Sequence, residues 1–284
     1  GTATSDLTDG LYPVVSAFGE SAESVKQLEI AAKAAKAGNA TTTDSVNMLS
    51  AVTKGYGDTS AAALQKASDL AFLTVKLGQT SFPELASSMG QVVPLAATMK
   101  VSQEELFGAM ATLTGVTGGT AEVTTQLRAT MQEFLSPSSQ MEKALKKMGY
   151  TSGAAALESE GLGGILTKLK ESVKGDEVAF ANLFSSIESK NAVLALTGAQ
   201  ADAFAEKTAA MGEAAGATDR AFNIQTNSVS AMASKLKNAG SVMLTSLGEK
   251  ALPYVQDAMQ GLIDRMPAIT ETLGGVIERA GPMF

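Results

Sequence analysis

Along most of the chain, apolar positions recur at the three- and four-residue spacing of one helix face, and polar helix starts interrupt them about every twenty residues. Ser81-Phe82-Pro83-Glu84 and Ser102-Gln103-Glu104-Glu105 fit the capping box, in which a Ser oxygen accepts from the third N–H and the Glu reaches back to the cap. Thr41-Thr42-Thr43-Asp44 is a looser version of the same start. The runs that follow, Val46 to Tyr56, Leu85 to Met99 and Leu106 to Gly115, are predicted as helices, with a further helix from Ser60 to Leu77 stopped at Gly78. A loop from Gly115 to Gly119 leads into a helix over about 121–135. Ser136-Pro137 ends it, because the residue before Pro avoids the α region.

Tyr150 to Gly164 is glycine-rich and reads as a loose hinge, after which helices resume around Ile165–Val173, Val178–Ser186, Ala192–Leu196 and Thr218–Ala251. No stretch alternates with period two. The expected fold class is therefore all-α: an array or bundle of short to medium helices with an amphipathic C-terminal segment. Three stretches are expected: a helical core over 1–149, a second helical unit over 150–216 after the hinge, and a long helix with a tandem repeat over 217–284.

That repeat is the most regular feature. Leu252 to Arg265 aligns without gaps to Met266 to Arg279, pairing Pro253 with Pro267 and Gly261 with Gly275. Leu252, Val255, Met259, Leu262, Met266, Ile269, Leu273 and Val276 alternate three-four spacing, the pattern of a coiled-coil seam, with one acid per heptad on the far side. Two readings stand: an association seam, or two short amphipathic helices, each opened by its Pro and folded back on the chain.

Composition changes the picture chiefly by what is missing. The 284 residues include neither His nor Cys. General acid–base work by imidazole, thiolate nucleophiles, Ser-His and Cys-His pairs and ordinary zinc sites are excluded, leaving carboxylate-only chemistry of the glycosidase kind. No enzyme, cofactor or metal site is expected. A net charge of −7 argues against stable nucleic-acid binding, and Lys143, Lys146 and Lys147 read as a solvated helix face. No stretch approaches the ~18 apolar residues of a membrane span. The 13 Met residues suit irregular core gaps, a Met-rich binding surface being the sharper alternative. Gly115 to Gly119 lacks the Gly-Lys-Ser/Thr and preceding strand of a phosphate cradle. A chain that opens on Gly1 is expected to be a fragment or a processed product.

One ordered series of features carries a resemblance. It runs from Ala31–Gly38 and Thr41–Val52 through Ala67-Ser68-Asp69-Leu70, then Ser81–Val93 with Pro94-Leu95-Ala96-Ala97. It continues with Val101–Glu105, Leu113–Val116, Leu127-Arg128, Met131, Leu135, Pro137, Ala144-Leu145 and Gly149, and more weakly with Leu183–Leu196. In this order the stretch from Phe18 to Gly149 resembles the core of tape-measure proteins of long-tailed phages. It departs from that pattern at Ala121-Glu122-Val123-Thr124-Thr125, where many members carry Ala-Gly-Thr.

The resemblance implies a structural role in the virion tail. The tube polymerises around the full-length protein, which sets tail length and leaves ahead of the genome to assist DNA ejection. It implies a place in the tail lumen, and in the host cytoplasm during assembly. Implied partners are the tail tube protein, tail-assembly chaperones, tail-tip or baseplate proteins, further copies of the chain, and host membrane at ejection. The alternative is a membrane-active helical protein acting through 252–277. A third reading, a lytic enzyme using carboxylates alone, finds no supporting motif here.

Overall fold

Helix ends organise this molecule. The computed structural model describes residues 4–227 apart from Ala22, with side chains from Gly10 onward; the seam positions from Leu252 to Val276 lie outside the described residues. Within them the chain forms α1 (Thr4–Phe18), α2 (Ser24–Gly38), α3 (Thr42–Gly55), α4 (Ala61–Leu77), α5 (Phe82–Thr98), α6 (Gln103–Leu113) and α7 (Thr120–Leu135). These are followed by α8 (Ser139–Lys147), α9 (Gly153–Ser172), α10 (Glu177–Ala181), α11 (Ile187–Thr197), α12 (Ala201–Met211) and α13 (Ala217–Thr226). There is no strand among the described residues, so the fold is all-α.

Thr41, Ser60, Ser81 and Ser102 each accept from the third N–H of the helix that follows. At Ser81 the capping box is complete. At Ser102 only half of it forms: Glu105 meets the Ser102 hydroxyl rather than its N–H. α5 runs on through Pro94, which lacks the N–H for its turn, and Gly90, whose carbonyl would accept it, is an exposed residue.

α5 packs against both α3 and α7, α6 against α4 and α12, and α11 against α7 and α9, while α13 rests on α2 and α4. One apolar cluster threads through these helices, with Phe82, Phe107, Phe134, Phe180 and Phe184 fully buried in it. Met48, Met89, Met99, Met110, Met131 and Met141 are buried as well, which gives them the gap-filling role.

Two expectations are corrected. The glycine-rich stretch after Tyr150 is not a loose hinge but α9, interrupted only at Gly161 (φ 70°, ψ 173°). Its glycines serve close approach: a Cβ on Gly153 would overlap the Phe134 carbonyl, and one on Gly163 would lie 3.3 Å from the Phe204 ring. The helix expected over Val178–Ser186 stops at Ala181, and the turn after it delivers Leu183 and Phe184 to the core.

Candidate functional site

Several charged side chains share one arrangement. A charged side chain on one helix satisfies the unpaired backbone at the end of another, far away in sequence. Four N–H groups at each helix start lack intrahelical partners, and that end attracts negative charge.

Asp69, at mid-length in α4 and 4% exposed, accepts from Gly216 N (3.0 Å) and Thr218 N (2.9 Å), and so caps α13. Gln65 donates to the same carboxylate (3.1 Å), and the Ser68 and Thr218 hydroxyls meet at 2.8 Å. Gly216, the cap residue of α13, has no side chain for this work, so Asp69 stands in for it. Glu133 of α7, 8% exposed, does the same for α11, accepting from Ser185 N and Ser186 N at 2.8 Å each. Glu23 accepts from Ala61 N at the start of α4 (3.1 Å). Glu105 accepts from Gly163 N (3.4 Å), just past the break at Gly161 where a second helical run begins.

Lysines serve the opposite ends. Lys170 donates to Thr197 O at the end of α11 (2.8 Å) and Lys207 to Ala111 O in the last turn of α6 (2.9 Å). Burial pushes the Lys207 ammonium below its usual range. Tyr56 donates to Val101 O (3.0 Å); burial, then the Glu104 and Glu105 charges, push its hydroxyl up. These carboxylates are all acceptors of backbone donors. No group of three acids able to hold a metal ion exists among the described residues. Glu104 pairs with Lys66 (2.7 Å), apart from the work of Glu105.

The remaining polar features are local. In the Gly115–Gly119 loop, Gly115 N donates to Gly118 O (2.9 Å), and Gln126 grips Thr117 at both its hydroxyl (2.6 Å) and its carbonyl (3.1 Å). Lys146 pairs with Glu142 one turn away (2.6 Å). Glu160 receives Lys168 (2.7 Å) and the Tyr150 hydroxyl (2.5 Å). Those two hydrogen bonds, Lys168 first, hold its carboxyl below the usual range.

An apolar groove of about 460 Å³ lies between α2, α4, α5 and α13. Its floor is the stacked pair Phe72 and Phe82, with ring centroids 4.9 Å apart. The stack needs Gly38, since a Cβ there would sit 2.6 Å from Phe82. Ile224, 76% exposed, lines the groove, with Lys76 and Arg220 as its charged members. No helix among the described residues is long and apolar enough to cross a membrane.

Of the residues singled out from sequence, Asp69 and Glu105 are brought into this capping scheme. Glu23, Glu133, Lys170 and Lys207 were not foreseen, since no local pattern marks a cap whose target lies 27 to 96 residues away.

Among known proteins, no curated protein and no solved structure matches this chain. The family model described as phage-related minor tail protein matches residues 1–187, about two thirds of the 284. The matched span covers the helices from α1 through α10 and the acids Glu23, Asp69, Glu105 and Glu133. This chain belongs to the family of phage-related minor tail proteins.

Proposed function

We propose that this minor tail protein is a tape measure. It scaffolds polymerisation of the tail tube, sets its length, and leaves at infection to assist DNA ejection. The observation that carries the reading is the family match over residues 1–187, joined to the ordered resemblance from Phe18 to Gly149. Charge supports it: a chain of net −7 will not hold DNA that must slide through the same lumen. The use of acids as caps supports a structural role: among the described residues the two buried carboxylates, Asp69 and Glu133, both accept backbone N–H donors at helix starts. Its partners in this reading are the tube protein, assembly chaperones, tail-tip proteins and further copies of itself.

The test is tail length by electron microscopy. Without the protein, tails should be absent or of unregulated length, and tails of normal length would overturn the reading. An in-frame duplication of residues 252–279 should lengthen tails by roughly 42 Å, taking ~1.5 Å per residue for helix. Unchanged length would remove that segment from the ruler.

A further inference from the structure

We infer that the groove between α4 and α13 is a binding site for a single-chain anionic amphiphile. The ligand is a fatty acid whose acyl chain lies along the aromatic floor and whose carboxylate meets Lys76 and Arg220. The inference stands whether or not the chain measures tail length.

Size and surface are those of a small-molecule pocket. The volume of about 460 Å³ falls within the ~300–1,000 Å³ of such sites, which are mainly apolar with a few placed polar groups. Phe72 and Phe82 are buried at the bottom, whereas Ile224 stands exposed on the α13 wall. An acyl chain laid between them removes apolar surface from water.

The charged members of the lining are both cations, Lys76 and Arg220, and both are exposed. Lys76 has no ion-pair partner among the described residues. Arg220 is fixed by donating from one guanidinium nitrogen to Ala215 O (3.1 Å), which leaves its other N–H groups for a carboxylate. The acids nearest the lining in sequence are engaged elsewhere. Asp219 pairs with Lys33, Glu84 is turned to Ser81 N and Oγ, and Asp69 caps α13. In a chain of net −7, an apolar slot whose charged lining is cationic selects an anionic head over a neutral or cationic one. An occupant also touches α13 and the helices it rests on at once, which adds to the hold of the Asp69 cap.

The experiment titrates the full chain with monomeric decanoate by calorimetry and follows amide exchange over 217–226. Decanoate should bind one to one, and decanol or decyltrimethylammonium about tenfold more weakly or worse, the loss expected for a charge-assisted hydrogen bond. The double variant Lys76→Gln, Arg220→Gln should lose a similar factor for decanoate and none for decanol. Ile224→Glu, which puts an acid on the apolar wall, should abolish decanoate binding. Decanoate should slow exchange in α13 by a factor of about 1 + [L]/Kd. All altered side chains are exposed, and unchanged melting temperatures check that the variants fold. Absence of saturable decanoate binding would overturn the inference. So would equal affinity for the three head groups, variants that bind decanoate as wild type does, or binding that leaves α13 exchange unchanged, which would put the ligand on another surface.

Discussion

Asp69 and Thr218 lie 149 residues apart, yet the carboxylate of the first accepts the backbone N–H of the second at 2.9 Å in a buried setting. α13 buries little apolar surface: Ala217 is its one buried hydrophobic residue, and Ile224 projects outward. This helix is held by its end more than by its face. Lys33 adds an ion pair to Asp219 and sits 5.5 Å from the centroid of the Phe222 ring.

Asp69→Ala should therefore leave two N–H groups without acceptors and destabilise the fold by about 1–3 kcal/mol. The loss should concentrate in α13. Amide exchange over 217–226 should accelerate strongly while the amides of α5 and α7 stay protected. Asp69→Asn keeps one acceptor and should lose less. Equal exchange in α13 and the core would show that α13 does not open separately.

Glu133→Ala strips the acceptor from Ser185 N and Ser186 N, and about 1–3 kcal/mol of stability should go with it. For a unit of this size that lowers the melting temperature by roughly 2–4 °C per kcal/mol. Glu133→Gln retains the carbonyl oxygen and should recover most of the loss. A melting temperature unchanged in the Ala variant would show that water replaces the carboxylate without penalty.

Gly161→Ala places a side chain at φ 70°, where L residues are strained, and drives it against the Glu105 carboxylate. The expected cost is about 1–3 kcal/mol. Adding Glu105→Ala should relieve part of that cost, so a double-mutant cycle should show coupling. Strict additivity would mean that the two positions do not meet.

The Glu160–Lys168 pair gives stability a pH dependence with two limbs. Glu160 is held below its usual 4.5 by Lys168 and then Tyr150. Its contribution is present above that value and fades as pH falls through the lowered one. Lys168 is raised above 10.5, first by Glu160, so its contribution is present below 10.5 and fades as pH rises through the higher value. Glu160→Gln should flatten both limbs of the denaturation-midpoint profile, by a small amount, since the pair is exposed to solvent.

Much of the fold was legible because helix starts are local. Ser60, Ser81 and Thr41 announce α4, α5 and α3 with a hydroxyl three residues ahead of the N–H it accepts, and Ser136-Pro137 closes α7. α12 escaped notice because its cap position, Gln200, makes no side-chain cap and it buries only Phe204 and Met211. The glycines of α9 mislead for a related reason. Composition does not distinguish a glycine that loosens the chain from one that lets Phe134 or Phe204 come close. The candidate site was least legible. Glu105 carries the spacing of a capping box, but one of its oxygens goes to Gly163, 58 residues on, a choice set by packing.

The cap on α13 also has a mechanical meaning. Asp69 and Thr218 close a loop that contains everything from α5 to α12. Traction between α4 and the end of α13 loads this clasp directly. Fully drawn out, 149 residues span up to roughly 500 Å. A single carboxylate on α4 thus helps hold closed a loop of that length.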